Sequence, residues 1–177
     1  MSRVGKKPIT IPQGVEIKEE NSLVTVKGPN GVLTFPIKPY VTISIEDGQL
    51  SVSIKNERDK FQKAMWGTTR AIINNHVTGV TQKFKQQLEL NGVGFRMELG
   101  QKLTLYIGYS HPVEIEIPQQ ITLTLNKNIL IGESVDKQIL GDFFTTIHDM
   151  KPADPYKHKG FKFPGRYYPK KAGKKAK

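Results

Sequence analysis

The sequence of 177 residues contains no cysteine, which removes disulfides, thiol nucleophiles, zinc ribbons and iron–sulfur clusters at once. No stretch approaches the roughly 18 consecutive apolar residues that a membrane span requires. The opening run Met1–Pro12 is basic but leads into no apolar stretch of roughly 7 to 15 residues, so no secretory signal is expected. It also lacks the amphipathic, Arg- and Ser-rich character of an organellar presequence, and the expectation is a soluble protein acting where it is made. Acidic residues are the minority, 16 against 27 Lys and Arg, for a formal net charge of +11. Such an imbalance asks for a polyanionic partner.

Signs of catalysis are also missing. His76, His111, His148 and His158 are far apart, with no i, i+4 pair and no nearby acidic ligand cluster. Ser110-His111 has no third partner, and His76 reads as a half-buried packing residue. Gly92-Val93-Gly94 lacks the third glycine and the ribose-binding acid of a dinucleotide fingerprint, and reads as a pair bringing backbone close to another surface. The sequence holds no phosphate-cradling G-x-x-x-x-G-K-[ST]. Glu114 and Glu116 alternate with Val113, Ile115 and Ile117, as the wet face of a strand would. The residues point to no enzyme, cofactor, metal or small-molecule substrate.

What is present is charge at one end. Residues 1–150 carry 17 basic and 15 acidic side chains, a net +2, whereas residues 151–177 carry ten basic side chains and Asp154, a net +9. Tyr156, Phe161, Phe163, Tyr167 and Tyr168 are interleaved with those cations, and four prolines and three glycines forbid a continuous helix. An extended basic segment carrying planar rings suits RNA, because cations reach phosphates while rings stack on bases. A merely solvating lysine tail is the competing reading for Lys170–Lys177, but it fits Tyr156–Tyr168 poorly. The alternation of Phe161 and Phe163 also fits one face of a strand packed back on the body.

The body repeats itself. An offset of 80 lays Leu23–Gly28 over Leu103–Gly108, Val41–Ile45 over Ile121–Leu125 and Leu50 over Leu130, with strand signals in the same succession before a helix signal. Predicted strands are Val15–Lys18, Leu23–Lys27, Val32–Ile37, Val41–Ile45 and Leu50–Ile54, then Leu88–Leu90, Phe95–Leu99, Leu103–Ile107, Val113–Ile117 and Ile121–Leu125. Turn signals include Gly28-Pro29-Asn30-Gly31 and Asp47-Gly48. The first helix is expected to be capped by Asn56, to bury Phe61, Met65, Thr69, Ile72 and His76, and to end at Gly79. The second is expected to start at Ser134 and to bury Ile139, Phe143, Ile147 and Met150. The fold class is α+β: two small domains of like topology from an internal duplication, each an antiparallel sheet on one helix, plus an extended basic C-terminal tail. The expected divisions are 1–82, 83–150 and 151–177.

Six stretches carry a resemblance: Arg3–Pro12, Val26–Gly31, Gly67–Ala71 with Asn74-Asn75 and Gly79-Val80, Leu90–Arg96, Gly108–Pro112 and Pro155–Gly160. In this order they make the chain resemble the bacterial-type family of large-subunit ribosomal protein number six along essentially its whole length. The resemblance implies two duplicated domains and a structural constituent of the large ribosomal subunit. It also implies binding to 23S-type rRNA near the stalk base, the sarcin–ricin loop and the translation-factor site, beside neighbouring ribosomal proteins. The setting would be the bacterial cytoplasm, or the mitochondrial matrix or plastid stroma for an organelle-encoded version. Carried over by position, the rRNA-binding residues are Arg70, Arg96, Tyr156, Lys157, Lys159 and Gly160. Lys162, Arg166, Lys170, Lys171, Lys174 and Lys175 join them by charge, since register departs from the family after Gly160. The family usually has glycine where His158 stands. A free-standing RNA-binding module or RNA chaperone is the alternative at this point.

Overall fold

A computed structural model describes residues 2–46 and 48–173. They form two compact units, one reaching Lys83 and including Val135–Lys137, the other comprising Phe84–Ser134 and the residues after Lys137. The first unit contains β1 (Ile9–Thr10), β2 (Glu16–Glu20), β3 (Leu23–Gly28), β4 (Gly31–Pro36), β5 (Val41–Glu46), β6 (Gln49–Ile54) and α1 (Lys60–Thr81). Its strands make two antiparallel sheets, ordered β2-β3-β4 and β1-β6-β5. The β2–β3 hairpin turns through Asn21 and Ser22, both at positive φ (51° and 61°), the twist a two-residue hairpin favours. Gly28 and Gly31 close the next hairpin, and its tip serves the helix: Asn30 donates from its backbone to Val80 O at 3.1 Å and from its side chain to Thr81 O at 2.8 Å. Two carbonyls at the end of α1 thus find donors that the helix itself cannot supply. Asp47, half of the other expected turn, lies outside the described residues.

Helix α1 departs from expectation in three ways. It starts at Lys60 under Asp59, whose carboxylate accepts from Phe61 N at 2.8 Å, while Asn56 accepts from Arg58 N in a turn before the helix. It passes through a buried Gly79 and ends at Thr81. Its buried face is Trp66, Thr69, Ile73, His76, Val77 and Val80, so Met65 and Ile72 are only half-buried and Phe61 is exposed. Trp66 explains the rotation. Its bulk enters the core with Val24, Val26, Leu50 and Val52, and its indole N–H donates to Val52 O at 2.6 Å.

The second unit repeats the plan with β7 (Phe84–Asn91), β8 (Arg96–Leu99), β9 (Lys102–Tyr106), β10 (Val113–Glu116), β11 (Ile121–Asn126), β12 (Ile129–Ser134) and α2 (Lys137–Met150). The order β10-β9-β8 matches β4-β3-β2, and β11-β12-β7 matches β5-β6-β1. Register agrees as well: Leu50 faces Ile9 in one unit, and Leu130 faces Leu88 in the other. Ser134 closes β12 and donates its hydroxyl to Gln120 O at 2.9 Å, so the second helix begins after it, at Lys137. Leu140, Phe143, Phe144 and Ile147 are its buried side chains, with Ile139 and Met150 packed at the margin. One strand has no counterpart among the described residues of the first unit. β13 (Gly160–Lys162) lies antiparallel on the free edge of β7, pairing Gly160 with Asn91 and Phe161 with Leu90.

Candidate nucleic-acid interface

The cationic segment is anchored rather than loose over its described residues, 151–173. Phe161 is fully buried among Leu88, Leu90, Phe144 and Ile147. Its N–H donates to Lys151 O at 2.9 Å and its carbonyl accepts from Ala153 N at 3.2 Å, which brings 151–153 alongside β13. Inside this closure, Asp154 N donates to Lys159 O at 2.9 Å and His158 N donates to Asp154 O at 2.8 Å. The Asp154 carboxylate accepts from Tyr156 N at 3.3 Å and from Lys157 N at 3.2 Å. The turn so formed leaves Tyr156, Lys157 and Lys159 exposed on a backbone held from within.

Two special backbone positions belong to this turn. His158 sits at φ 55°, a left-handed conformation that glycine adopts most easily, which accounts for the glycine expected there. Gly160 has φ 124°, and a Cβ there would lie 2.5 Å from Lys151 O, so no other residue fits without moving backbone. Gly160 is therefore a structural member of the site, placing its neighbours and presenting no group of its own.

Further along, Arg166 N donates to Phe163 O at 3.2 Å, and Phe163 N donates to the Tyr168 hydroxyl at 3.0 Å. Lys171 N then donates to Pro155 O at 2.9 Å. That bond returns Lys170 and Lys171, both exposed, to the base of the turn carrying Tyr156 and Lys157. Lys162 lies half-buried on β13 opposite Glu89, and Arg166 is exposed at the bend after it. Of the five rings expected to stack on bases, Phe161 is in the core and Phe163 stacks on His148 with ring centres 5.0 Å apart. Tyr168 is half-buried, and Tyr156 and Tyr167 remain outward, 51% and 85% exposed. Lys174 and Lys175 lie outside the described residues.

The register of β13 sets this turn beside the loop that follows Asn91. There Gly92 and Gly94 have φ of 146° and 80°, and a Cβ on Gly92 would meet the Phe95 ring at 2.6 Å. The close approach is thus to the loop's own phenylalanine, which leaves Val93 at the tip 91% exposed. Arg96 begins β8 with its guanidinium 4.0 Å above the Tyr106 ring centre and its Nε 3.4 Å from Glu98.

Arg70 belongs to the first unit and has a different setting. Its guanidinium donates to Lys7 O at 3.1 Å and Pro8 O at 3.3 Å, clamping the segment before β1 onto α1. Sequence reasoning missed Asp154, whose place before a proline is a turn signal in its own right. It also missed the support beneath the segment: Tyr109 donates to Met150 O at 2.8 Å, and Lys151 Nζ lies 5.5 Å from that ring's centre. Among the described residues no cluster of histidine, aspartate and glutamate could hold a metal ion, and no helix is long and apolar enough to cross a membrane.

Residues 11–83 match the family model described as Ribosomal protein L6. The whole chain is 46% identical over 180 residues to a large ribosomal subunit protein uL6 from Dictyoglomus thermophilum, covering 100% of this chain and 99% of that protein. Identity to the proteins of that name from Persephonella marina and Streptococcus uberis is 43% in each case, over 176 and 179 residues. Those alignments cover 98% of both chains for the first and 100% of both for the second.

Proposed function

Since the chain belongs to the uL6 family of large ribosomal subunit proteins, we propose that the Asp154–Lys159 turn and the adjoining Lys170-Lys171 form its principal contact with large-subunit rRNA. The protein is a structural constituent of the large ribosomal subunit and not an enzyme; ribosomal RNA and ribosomal proteins are its partners. One observation carries the assignment of the contact. A net +9 lies after residue 150, against +2 before it, and backbone hydrogen bonds gather the cations at 157, 159, 170 and 171 around a single turn. Tyr156 supplies an exposed ring for stacking beside them, and the Gly92–Gly94 loop with Arg96 extends the surface along the β7 edge. A position near the stalk base and the translation-factor site is part of the same proposal.

Replacing Lys157, Lys159, Lys170 and Lys171 together by alanine tests it. Each neutralised phosphate contributes roughly 0.7 to 0.9 to the slope of log K against log salt, so the slope on a large-subunit rRNA transcript should fall by about three. The melting temperature should stay put, because all four side chains are exposed. An unchanged slope would move the RNA contact elsewhere. Recovery of the protein mainly in the ribosome-free fraction of a high-salt gradient would contradict stable incorporation.

A further inference from the structure

We propose that Asp154 is a positioning residue for RNA, so that removing the one negative charge of the cationic segment weakens binding instead of strengthening it; this rests on the turn being the RNA contact proposed above. Charge alone argues the opposite. Asp154 is the single acid after residue 150, within a few residues of Lys157 and Lys159, and near phosphates its carboxylate should repel. The hydrogen bonds show what it does instead. One carboxylate oxygen accepts from Tyr156 N, the other from Lys157 N, and the Asp154 backbone exchanges bonds with His158 and Lys159. Four bonds from one residue therefore define the turn that displays Tyr156, Lys157 and Lys159.

Pro155 fixes one dihedral between acid and turn and offers its carbonyl to Lys171 N, so the same geometry governs where Lys170 and Lys171 lie. Without the carboxylate, the N–H groups of Tyr156 and Lys157 turn to solvent and the segment samples other conformers. Ordering it then falls on the binding step and reduces affinity. An Asp followed by Pro is a common local turn device. Here the device sits where its charge works against the ligand, so its contribution to geometry must outweigh that repulsion.

The test compares four full-length proteins on an in vitro transcript of large-subunit rRNA: the parent, Asp154→Ala, Asp154→Asn and the double Lys157→Ala/Lys159→Ala. Asp154→Ala should bind about three- to tenfold more weakly, because it loses two carboxylate hydrogen bonds whose worth is partly offset by the repulsion removed with the charge, although its net charge is more positive. Its salt slope should match the parent's, because every cation remains. Asp154→Asn keeps one acceptor oxygen and should lose less, and being near-isosteric it carries the test should the alanine variant melt early. The double lysine variant should lose both affinity and slope. If Asp154→Ala and Asp154→Asn bind as tightly as the parent or more tightly while the lysine variant is impaired, the positioning role is overturned. If the lysine variant binds like the parent, the turn is not the RNA contact, and the functional reading fails instead.

Discussion

Phe161→Ala asks whether the C-terminal segment is part of the second unit's core or is only laid over it. The ring is fully buried, and its backbone ties Lys151, Ala153 and Leu90 together. A buried phenylalanine removes about 200 Å² from water, which at about 25 cal/mol per Å² amounts to about 5 kcal/mol. Measured Phe→Ala changes in cores run to about 3–5 kcal/mol. Against a domain stability of about 5–15 kcal/mol, that is about a fifth or more of what holds the unit together. Urea unfolding followed by circular dichroism should show an early transition. Hydrogen exchange of the 84–91 peptide should accelerate, since β13 covers one edge of β7. RNA binding should weaken as well, because the Asp154–Lys159 turn loses one of its moorings. A loss below about 1 kcal/mol with unchanged exchange would refute this, placing the ring on the surface and the segment outside the fold.

Gly5→Ala should destabilise the first unit by about 1–3 kcal/mol, because the new methyl would lie 2.6 Å from Trp66 Cδ2. Gly67→Ala is its control: only Ser2 Oγ comes near, at 3.6 Å, and a higher melting temperature is expected from helix propensity. Ile73→Ala, at a fully buried position, should cost about 2–5 kcal/mol, and Met65→Ala, half-buried beside the core face, clearly less; equal losses in thermal melting would contradict the observed helix face. His76 is held below its usual 6.5 by burial, which a nearby Asp136 partly opposes, and its Nδ1 finds no hydrogen-bond partner. The folded state therefore prefers the neutral ring, so stability is full above about pH 6.5 and declines as acid protonates the unfolded chain first. Melting temperatures of His76→Gln should vary less with pH over that acid range, and an identical pH profile would exclude His76 as a source.

Strands β2 to β11 were legible, at least in part, because period-two alternation and turn residues are local signals, and Val24, Val26, Leu103 and Leu105 mark their inner faces without outside help; β1 and β12 were not among the expected strands. What escaped depends on tertiary partners. The first half of β7 reads as polar, Phe84-Lys85-Gln86-Gln87, and becomes strand only because β12 pairs with it. On α1, Thr69 and His76 are buried as expected, but the core takes Trp66 and Ile73 in place of their neighbours Met65 and Ile72, because apolar residues occur all round the helix and the choice falls to the fit of Trp66 against β6. In the segment after 150, composition located the cations but could not say which rings face inward. That outcome depends on β7 presenting an open edge to Phe161.

That edge connects the duplication to the proposed RNA contact. In both units the strand order leaves the same position at the end of a sheet, and an exposed strand edge invites unwanted pairing. The first unit keeps its edge strand β1 to Ile9-Thr10 between Pro8 and Pro12, with Arg70 donating to the carbonyls just before it. Prolines and a side-chain donor suffice there. In the second unit the equivalent strand runs eight residues and carries Leu88 and Leu90, too long and too apolar for the same treatment. β13 covers its last three residues, Glu89 to Asn91, and the turn before β13 is the one that displays Tyr156, Lys157 and Lys159. Pairing with the edge thus holds the cationic turn at both ends, and under the proposed RNA contact less backbone freedom remains to be lost on binding. A lysine-rich segment with the same composition but no open edge to join would bring the same charge without that geometry.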